Sequence, residues 1–236
     1  MPNILVLTGA GISAESGIST FRDHDGLWER HRFDDLATPE AFRRDPVLVH
    51  RFYNVRRAQL KAVEPNAAHL ALAALEQAWV GQGEFLLVTQ NVDDLHERAG
   101  STRLVHMHGE IRKLCCTACG DVVYHTEDAG PALACVCCNA VGRMRPNIVW
   151  FGEMPFGMDE VYEAAGQADF FVAIGTSGMV YPAAGLVDAV RQNGRSCETI
   201  EINPKPTGNA AFRTVIAEAA VSGVPKLLGM FLPGAA

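Results

Sequence analysis

Gly9-Ala10-Gly11-Ile12-Ser13-Ala14-Glu15-Ser16-Gly17-Ile18 is the stretch whose reading decides the fold. It follows Ile4-Leu5-Val6-Leu7, a short apolar run that fits a fully buried β-strand. The strand delivers the chain into a glycine turn, and the turn is expected to open a helix. Glycine tolerates positive φ and lets backbone approach a ligand closely. N–H groups at a helix start point at an anion, with the helix dipole behind them, so a phosphate or pyrophosphate is the natural guest. The dinucleotide fingerprint G-x-G-x-x-G has two residues between its second and third glycines. Here five residues separate Gly11 from Gly17, so this is not the hydride-transfer version. On these ten residues alone, a ligand cradle and a bare strand-to-helix turn explain the sequence equally well.

The totals narrow the field. A chain of 236 residues fits one domain with a small appended module. Its 20 basic and 27 acidic residues give a net charge of −7, which argues against a nucleic-acid partner and leaves basic peptides open. No segment is long and apolar enough to span a bilayer, and the N-terminus lacks the basic region and cleavage site of a secretory signal. A cytoplasmic location is therefore expected. Six of the seven cysteines fall between 115 and 138, which points to metal rather than disulfides.

Residues 39–79 read as helical, with Pro39 and Pro46 at helix starts and Asn66 as a cap for the Ala/Leu run that follows. Tyr53 and Arg56 lie three apart and share a helix face. A phenol beside a guanidinium suits a carboxylate; a solvated arginine beside a packed tyrosine is the plainer reading of these two residues alone. Strand Phe85-Leu86-Leu87-Val88-Thr89 ends in Gln90-Asn91-Val92-Asp93-Asp94. Ligands of open α/β sheets bind outside the carboxyl ends of strands, so amide and carboxylate side chains there can hold a carboxamide or sugar hydroxyls. A third strand runs from Leu104 into His106-Met107-His108-Gly109. An imidazole at a strand end is well placed as a general base near pH 7. The alternation leaves open which of His106 and His108 faces the ligand.

Cys116-x2-Cys119, fifteen residues, then Cys135-x2-Cys138 has the spacing of a structural four-cysteine zinc site. Cys115 and Cys137 can each swap into that register, so the ligand set stays open at this point. Four thiolates would close the coordination shell and leave the metal a structural role. Further on, the chain returns with Asn147-Ile148-Val149-Trp150-Phe151-Gly152-Glu153, which reads as an apolar strand ending in a glycine. Phe170–Ile174 reads as a strand running into Gly175-Thr176-Ser177-Gly178, and Glu198–Ile202 as one running into Asn203-Pro204. Helices are expected near 159–168, 182–192 and 224–231.

In this order the motifs resemble the sirtuins, the NAD-dependent protein lysine deacylases. The resemblance rests on Gly9–Ser13 with Ser16-Gly17-Ile18, Phe21-Arg22, Gln90-Asn91-Val92-Asp93, His108-Gly109, the cysteine ribbon, Phe151-Gly152-Glu153, Gly175-Thr176-Ser177 and Ile202-Asn203-Pro204. It implies an α/β fold: a Rossmann-type parallel sheet from residues 1–30, 80–110 and 148–236, a helical insertion at 31–79 and a zinc-ribbon module at 111–147. It implies NAD as co-substrate and one structural zinc ion. NAD would contact Gly9, Ala10, Gly11, Ile12, Ser13, Glu15, Ser16, Phe21, Arg22, Trp28, Gln90, Asn91, Val92, Asp93, Gly175, Thr176, Ser177, Asn203 and Ala220.

The resemblance also implies the chemistry. The acyl-lysine oxygen attacks the nicotinamide ribose, nicotinamide leaves, and His108 acts as general base with Asn91 beside it. Free lysine and O-acyl-ADP-ribose result. Acylated-lysine peptides would lie along Val149, Phe151, Gly152 and Glu153 on one side and Met179 and Val180 on the other. Tyr-x-x-Arg before Gln-Asn-Val-Asp resembles the subgroup that removes succinyl, malonyl and glutaryl groups, with Tyr53 and Arg56 holding the acyl carboxylate. Many sirtuins read Ile-Pro-Asp-Phe-Arg where this chain reads Ile18-Ser19-Thr20-Phe21-Arg22, so one carboxylate near the nicotinamide is missing. A mono-ADP-ribosyltransferase on the same scaffold is the nearest alternative. A monomer close to a bare catalytic core is expected.

Overall fold

The structure, a computed structural model, describes residues 1–18, 33–192 and 196–232. Six parallel strands form the main sheet: β1 (Ile4–Thr8), β2 (Phe85–Thr89), β3 (Leu104–His106), β7 (Phe170–Ile174), β8 (Glu198–Ile202) and β9 (Thr214–Ile216). Their spatial order is β3-β2-β1-β7-β8-β9. The chain winds outward from β1 one way, then returns beside it at β7 and winds the other way. The crevice between the ends of β1 and β7 is therefore the topological switch point, where ligands of such sheets bind.

The central strands β1, β2 and β7 are near-continuous apolar runs because both faces are covered. Ile4, Val6, Leu87, Val172, Ile174, Ile200 and Ile202 pack against α5 (Ala67–Trp79) and α9 (Ala220–Phe231). Leu5, Leu7, Leu86, Val88, Phe171 and Ala173 point the other way, onto α7 (Met158–Gln167) and α8 (Leu186–Gln192). α9 begins at Ala220, four residues before the expected start, even though this places Pro225 inside it. Burial of Ala220, Val224 and Leu227 on the sheet accounts for that extension.

Two smaller bodies sit beside the sheet. α2 (Phe33–Leu36), α3 (Pro39–Arg44) and α4 (Pro46–Gln59) form one, with Pro39 and Pro46 at the first helical positions and Thr38 and Asp45 as caps. α5 falls within the expected insertion but packs on the main sheet as the crossover between β1 and β2. The other body is an antiparallel sheet ordered β5-β4-β6, from β4 (Gly109–Cys116), β5 (Val122–Tyr124) and β6 (Met144–Ile148). The run Asn147–Phe151, read as a strand returning to the core, instead ends β6, which pairs antiparallel with β4; from Val149 it is loop.

The turn after β1 departs from expectation. α1 spans only Ala10–Ser13 and passes into a 3-10 turn, Ala14–Ser16, that ends at Gly17 with φ 94°. One helical turn carries little macrodipole, so anion attraction here rests on individual N–H groups. The glycines also have a second use. Gly11 N–H donates to the Gly175 carbonyl at 2.9 Å. A Cβ on Gly11 would lie 2.7 Å from the Gly175 Cα, and one on Gly175, whose φ is +59°, would lie 2.6 Å from the Ile12 nitrogen.

Gly175→Ala is expected to destabilise the fold by about 2–4 kcal/mol, from left-handed strain plus backbone overlap. Urea unfolding measures this, and a loss within about 0.5 kcal/mol would contradict the contact.

Candidate active site

Four strand ends are tied together by side chains. Gln90 Nε2 donates to Thr176 Oγ1 at 3.0 Å, joining the end of β2 to the loop after β7. Asn203 Nδ2, after β8, donates to the Thr176 carbonyl at 2.8 Å. Asn91 is 8 % exposed, and its Nδ2 donates to the Gly9 carbonyl and to Ser13 Oγ, each at 3.1 Å. Ser13 in turn donates to Asp93 Oδ2 at 3.0 Å. Burial raises the Asp93 pKa against the bonds from Leu95 N–H and Ser13 that lower it. His69 accepts from the Asn66 N–H at Nδ1, which leaves Nε2–H facing Ser13 Oγ at 3.5 Å. Burial pushes His69 down to about 4, so it stays neutral.

Asn66 was legible as a cap, and it does cap α5. Its Nδ2 also donates to the Ile12 carbonyl at 2.8 Å and Ser16 Oγ at 3.0 Å, which fixes the glycine turn to the helix behind it. Glu15 is exposed and accepts from the Val221 N–H at 3.4 Å, at the start of α9 beside Ala220. Ile12 is fully buried in the core, so only its backbone faces the crevice side. Phe21, Arg22 and Trp28 lie outside the described residues.

The two histidines separate cleanly. His108 is half-buried, with Nδ1 3.1 Å from the Gln90 carbonyl. A carbonyl only accepts, so Nδ1 carries the proton and Nε2 keeps a lone pair. Burial lowers the His108 pKa, more than the Gln90 contact raises it. His106 has acceptors at both nitrogens: the Asn91 carbonyl at 3.3 Å and Glu97 Oε1 at 2.7 Å. Burial pulls its pKa down, but Glu97 and Glu110 outweigh that and the pKa is raised. One ring is thus a neutral base at the sheet edge and the other an imidazolium held by carboxylates.

Tyr53 and Arg56 project from α4 towards the same corner. Tyr53 is 4 % exposed, and its oxygen accepts from Trp150 Nε1 at 2.9 Å, leaving the phenol its own O–H to donate. Burial pushes the phenol up to about 12, so it stays protonated. Burial lowers the Arg56 pKa, while the nearby Tyr53 phenol oxygen and Asp93 carboxylate raise it. Arg56 therefore lies within electrostatic reach of the strand-end carboxylate as well as the phenol.

Arg145 is the residue that sequence reasoning missed. It grips Glu153 with two bonds, at 2.6 and 2.9 Å, donates to the Ile148 carbonyl at 2.7 Å, and lies 3.4 Å over the Trp150 ring. Glu153 also accepts from the Trp150 N–H at 2.8 Å. This clamp sets the loop that includes Phe151 and Gly152. Val149 N–H donates to the His108 carbonyl at 2.9 Å, so the loop and the base share a backbone bond. Across the crevice, Met179 and Val180 are exposed, with Met179 N–H bonded to Ser177 Oγ.

The cysteine register resolves in the structure. The sulfurs of Cys116, Cys119, Cys135 and Cys138 lie within 4.8 Å of one another, with the 116–138 and 119–135 pairs at 3.7 Å. Zinc–sulfur bonds of ~2.3 Å place tetrahedral sulfurs about 3.8 Å apart, so the set fits Zn²⁺. Cys115 neighbours Cys116 on β4 and so faces the opposite side of the sheet; Cys137 is exposed. Neither belongs to the group. Among the described residues, no helix is long and apolar enough to cross a membrane.

Comparison with known proteins agrees with this geometry. A model of the Sir2 family matches residues 9–182. The NAD-dependent protein deacylase of Escherichia coli is 57% identical over 210 residues, covering 88% of this chain and 75% of that protein. That of Shewanella oneidensis is 52% identical over 235 residues, covering 98% and 95%. Among solved structures, a Sir2 homologue in complex with NAD superposes with a TM-score of 0.87 at 40% identity, over 97% of this chain and 88% of that one. A substituted Sir2 bound to a deacetylated peptide and 3′-O-acetyl-ADP-ribose gives 0.79 at 28% identity, over 96% and 92%.

Two measurements check the site as built. Cys115→Ser and Cys137→Ser are expected to keep one zinc per chain by metal analysis, whereas Cys119→Ser loses it and unfolds the ribbon; equal losses would contradict the register. NMR titration should place the His108 ring below 6.5 and the His106 ring above it. The reverse order would exchange their assigned protonation states.

Proposed function

The chain belongs to the Sir2 family and is an NAD-dependent protein deacylase, and from that premise we propose that it removes succinyl groups from lysine in preference to acetyl, with malonyl and glutaryl in the same class. The observation that carries this reading is the Tyr53–Arg56 corner. A neutral phenol with a free O–H and a guanidinium, three residues apart on one helix, match the two oxygens of a short acyl chain's carboxylate. Trp150 fixes the phenol, and the Arg145–Glu153 clamp fixes Trp150.

NAD supplies an electrophilic ribose carbon with nicotinamide as its leaving group. Gly9, Ala10, Gly11 and the adjacent turn would hold the pyrophosphate; Gly175, Thr176, Ser177 and Asn203 the adenosine half; and Gln90, Asn91 and Asp93 the nicotinamide side. The neutral Nε2 of His108 would accept the proton of a ribose hydroxyl. Its Nδ1–H, held by the Gln90 carbonyl, keeps the ring in the tautomer that task needs. The peptide would run between the Trp150 loop and the Met179-Val180 segment, pairing by backbone and so tolerating many sequences.

His108→Ala should lower kcat by ~10²–10⁴ with thermal unfolding little changed. Because its pKa is lowered, the base form persists to lower pH, so the acid limb of kcat/KM should fall below 6.5. Arg56→Met should cut the succinyl-to-acetyl ratio of kcat/KM by about 10- to 100-fold, the size of a lost charge-assisted hydrogen bond. An unchanged ratio would contradict the acyl assignment.

A further inference from the structure

α4 has a second working face. Tyr53 and Arg56 look into the acyl corner, while Asn54 and Arg57, one residue on in each case, are turned ~100° about the axis towards the zinc module. Asn54 makes a two-bond pairing with Ala129: its Nδ2 donates to the carbonyl at 2.9 Å and its Oδ1 accepts the N–H at 3.0 Å. Arg57 is 2 % exposed, unusually deep for an arginine. Its Nε donates to the Ile111 carbonyl at 3.0 Å, and its Nη1 donates to Asn54 Oδ1 at 2.7 Å and to the Glu127 carbonyl at 3.3 Å.

The partners are what make these bonds informative. Glu127 and Ala129 lie between the two cysteine pairs. Ala129 is buried in the zinc module's own core with Cys116, Cys135, Leu114 and Met144. A contiguous path therefore runs from two metal ligands through Ala129 to Asn54 and into the helix turn that carries Tyr53 and Arg56. Three backbone or side-chain acceptors at Nε and Nη1 offset part of the cost of burying Arg57, while its Nη2 has no partner among the described residues, and nothing in the acyl corner itself requires it there.

We propose that Asn54 and Arg57 are positioning residues for acyl selectivity, pinning α4 to the loop between the zinc knuckles so that the zinc module sets the placement of Tyr53 and Arg56. This rests on the acyl reading above. It goes beyond that reading by giving the metal-bound module a part in substrate choice, through two residues that touch neither metal nor substrate.

The test uses Asn54→Ala in the zinc-loaded protein, with succinyl-lysine and acetyl-lysine peptides of one sequence. The expected result is a roughly five- to tenfold rise in KM for the succinyl peptide. Acetyl KM, both kcat values and the zinc content should stay within about twofold. Asn54→Asp, which keeps acceptors for Arg57 and the Ala129 N–H, should recover most of the loss. If Asn54→Ala fails to fold, Asn54→Ser, which removes the amide that pairs with Ala129 but leaves a small polar side chain, takes its place with the same expected rise in succinyl KM and the same contradicting results. Parallel losses on both peptides, or an unchanged succinyl KM, would overturn the proposal. Arg56→Met run alongside separates the two readings: if its ratio is unchanged, the acyl assignment fails and takes this proposal with it. If its ratio collapses while Asn54→Ala is silent, only the positioning role fails.

Discussion

Two backbone turns touch at the centre of this molecule, and no side chain fits between them. The loop after β1 and the loop after β7 meet through Gly11 and Gly175, with the amide of one bonded to the carbonyl of the other. The contact exists because β1 and β7 are neighbours in a sheet whose winding reverses there. It brings a glycine turn, a threonine-serine loop and the polar ends of two further strands to one edge. Any Cβ in that contact would push the turns apart by a distance comparable to a hydrogen bond's tolerance.

Around that contact the polar residues form a closed set. Asn91, Ser13, Asp93 and His69 satisfy one another beneath the glycine turn, and Gln90 and Asn203 both lean on Thr176. A buried polar network is rigid only when its members are paired, and here that rigidity fixes where His108 stands. The same segment supplies both histidine anchors: the Gln90 carbonyl holds His108 and the Asn91 carbonyl holds His106. What differs is the far nitrogen. Glu97 waits at Nε2 of His106, and that difference decides which ring can act as a base.

Much of this was legible in the sequence, and what was not has a common cause. The buried strands, the proline-started helices, the cysteine knuckles and the polar strand ends are local patterns, readable within a few residues. The strand alternation alone could not separate His106 from His108, and only the resemblance named His108, because the distinction depends on Glu97, which lies on a different element. Arg145 belongs to no local sequence pattern; its role arises only where β6 sets it over Trp150 and against Glu153. Asn54 meets Ala129 across 75 residues of chain. The glycine turn itself was half understood: close approach was expected, but the closest approach is to another loop of the same chain. The helix dipole expected behind it shrank to one turn because α1 gives way to a 3-10 turn at Ala14, which Gly17 then ends.

The account reduces to a neutral imidazole beside an edge that holds a dinucleotide, with an acylated lysine as the required second reactant. The most direct measurement is nicotinamide release from NAD by the unaltered protein, with and without a succinyl-lysine peptide, with the products weighed by mass spectrometry. The account predicts release that depends on the peptide, with one unmodified lysine and one O-succinyl-ADP-ribose formed per nicotinamide. Release that proceeds equally without the peptide, or ADP-ribose found attached to protein, would contradict it.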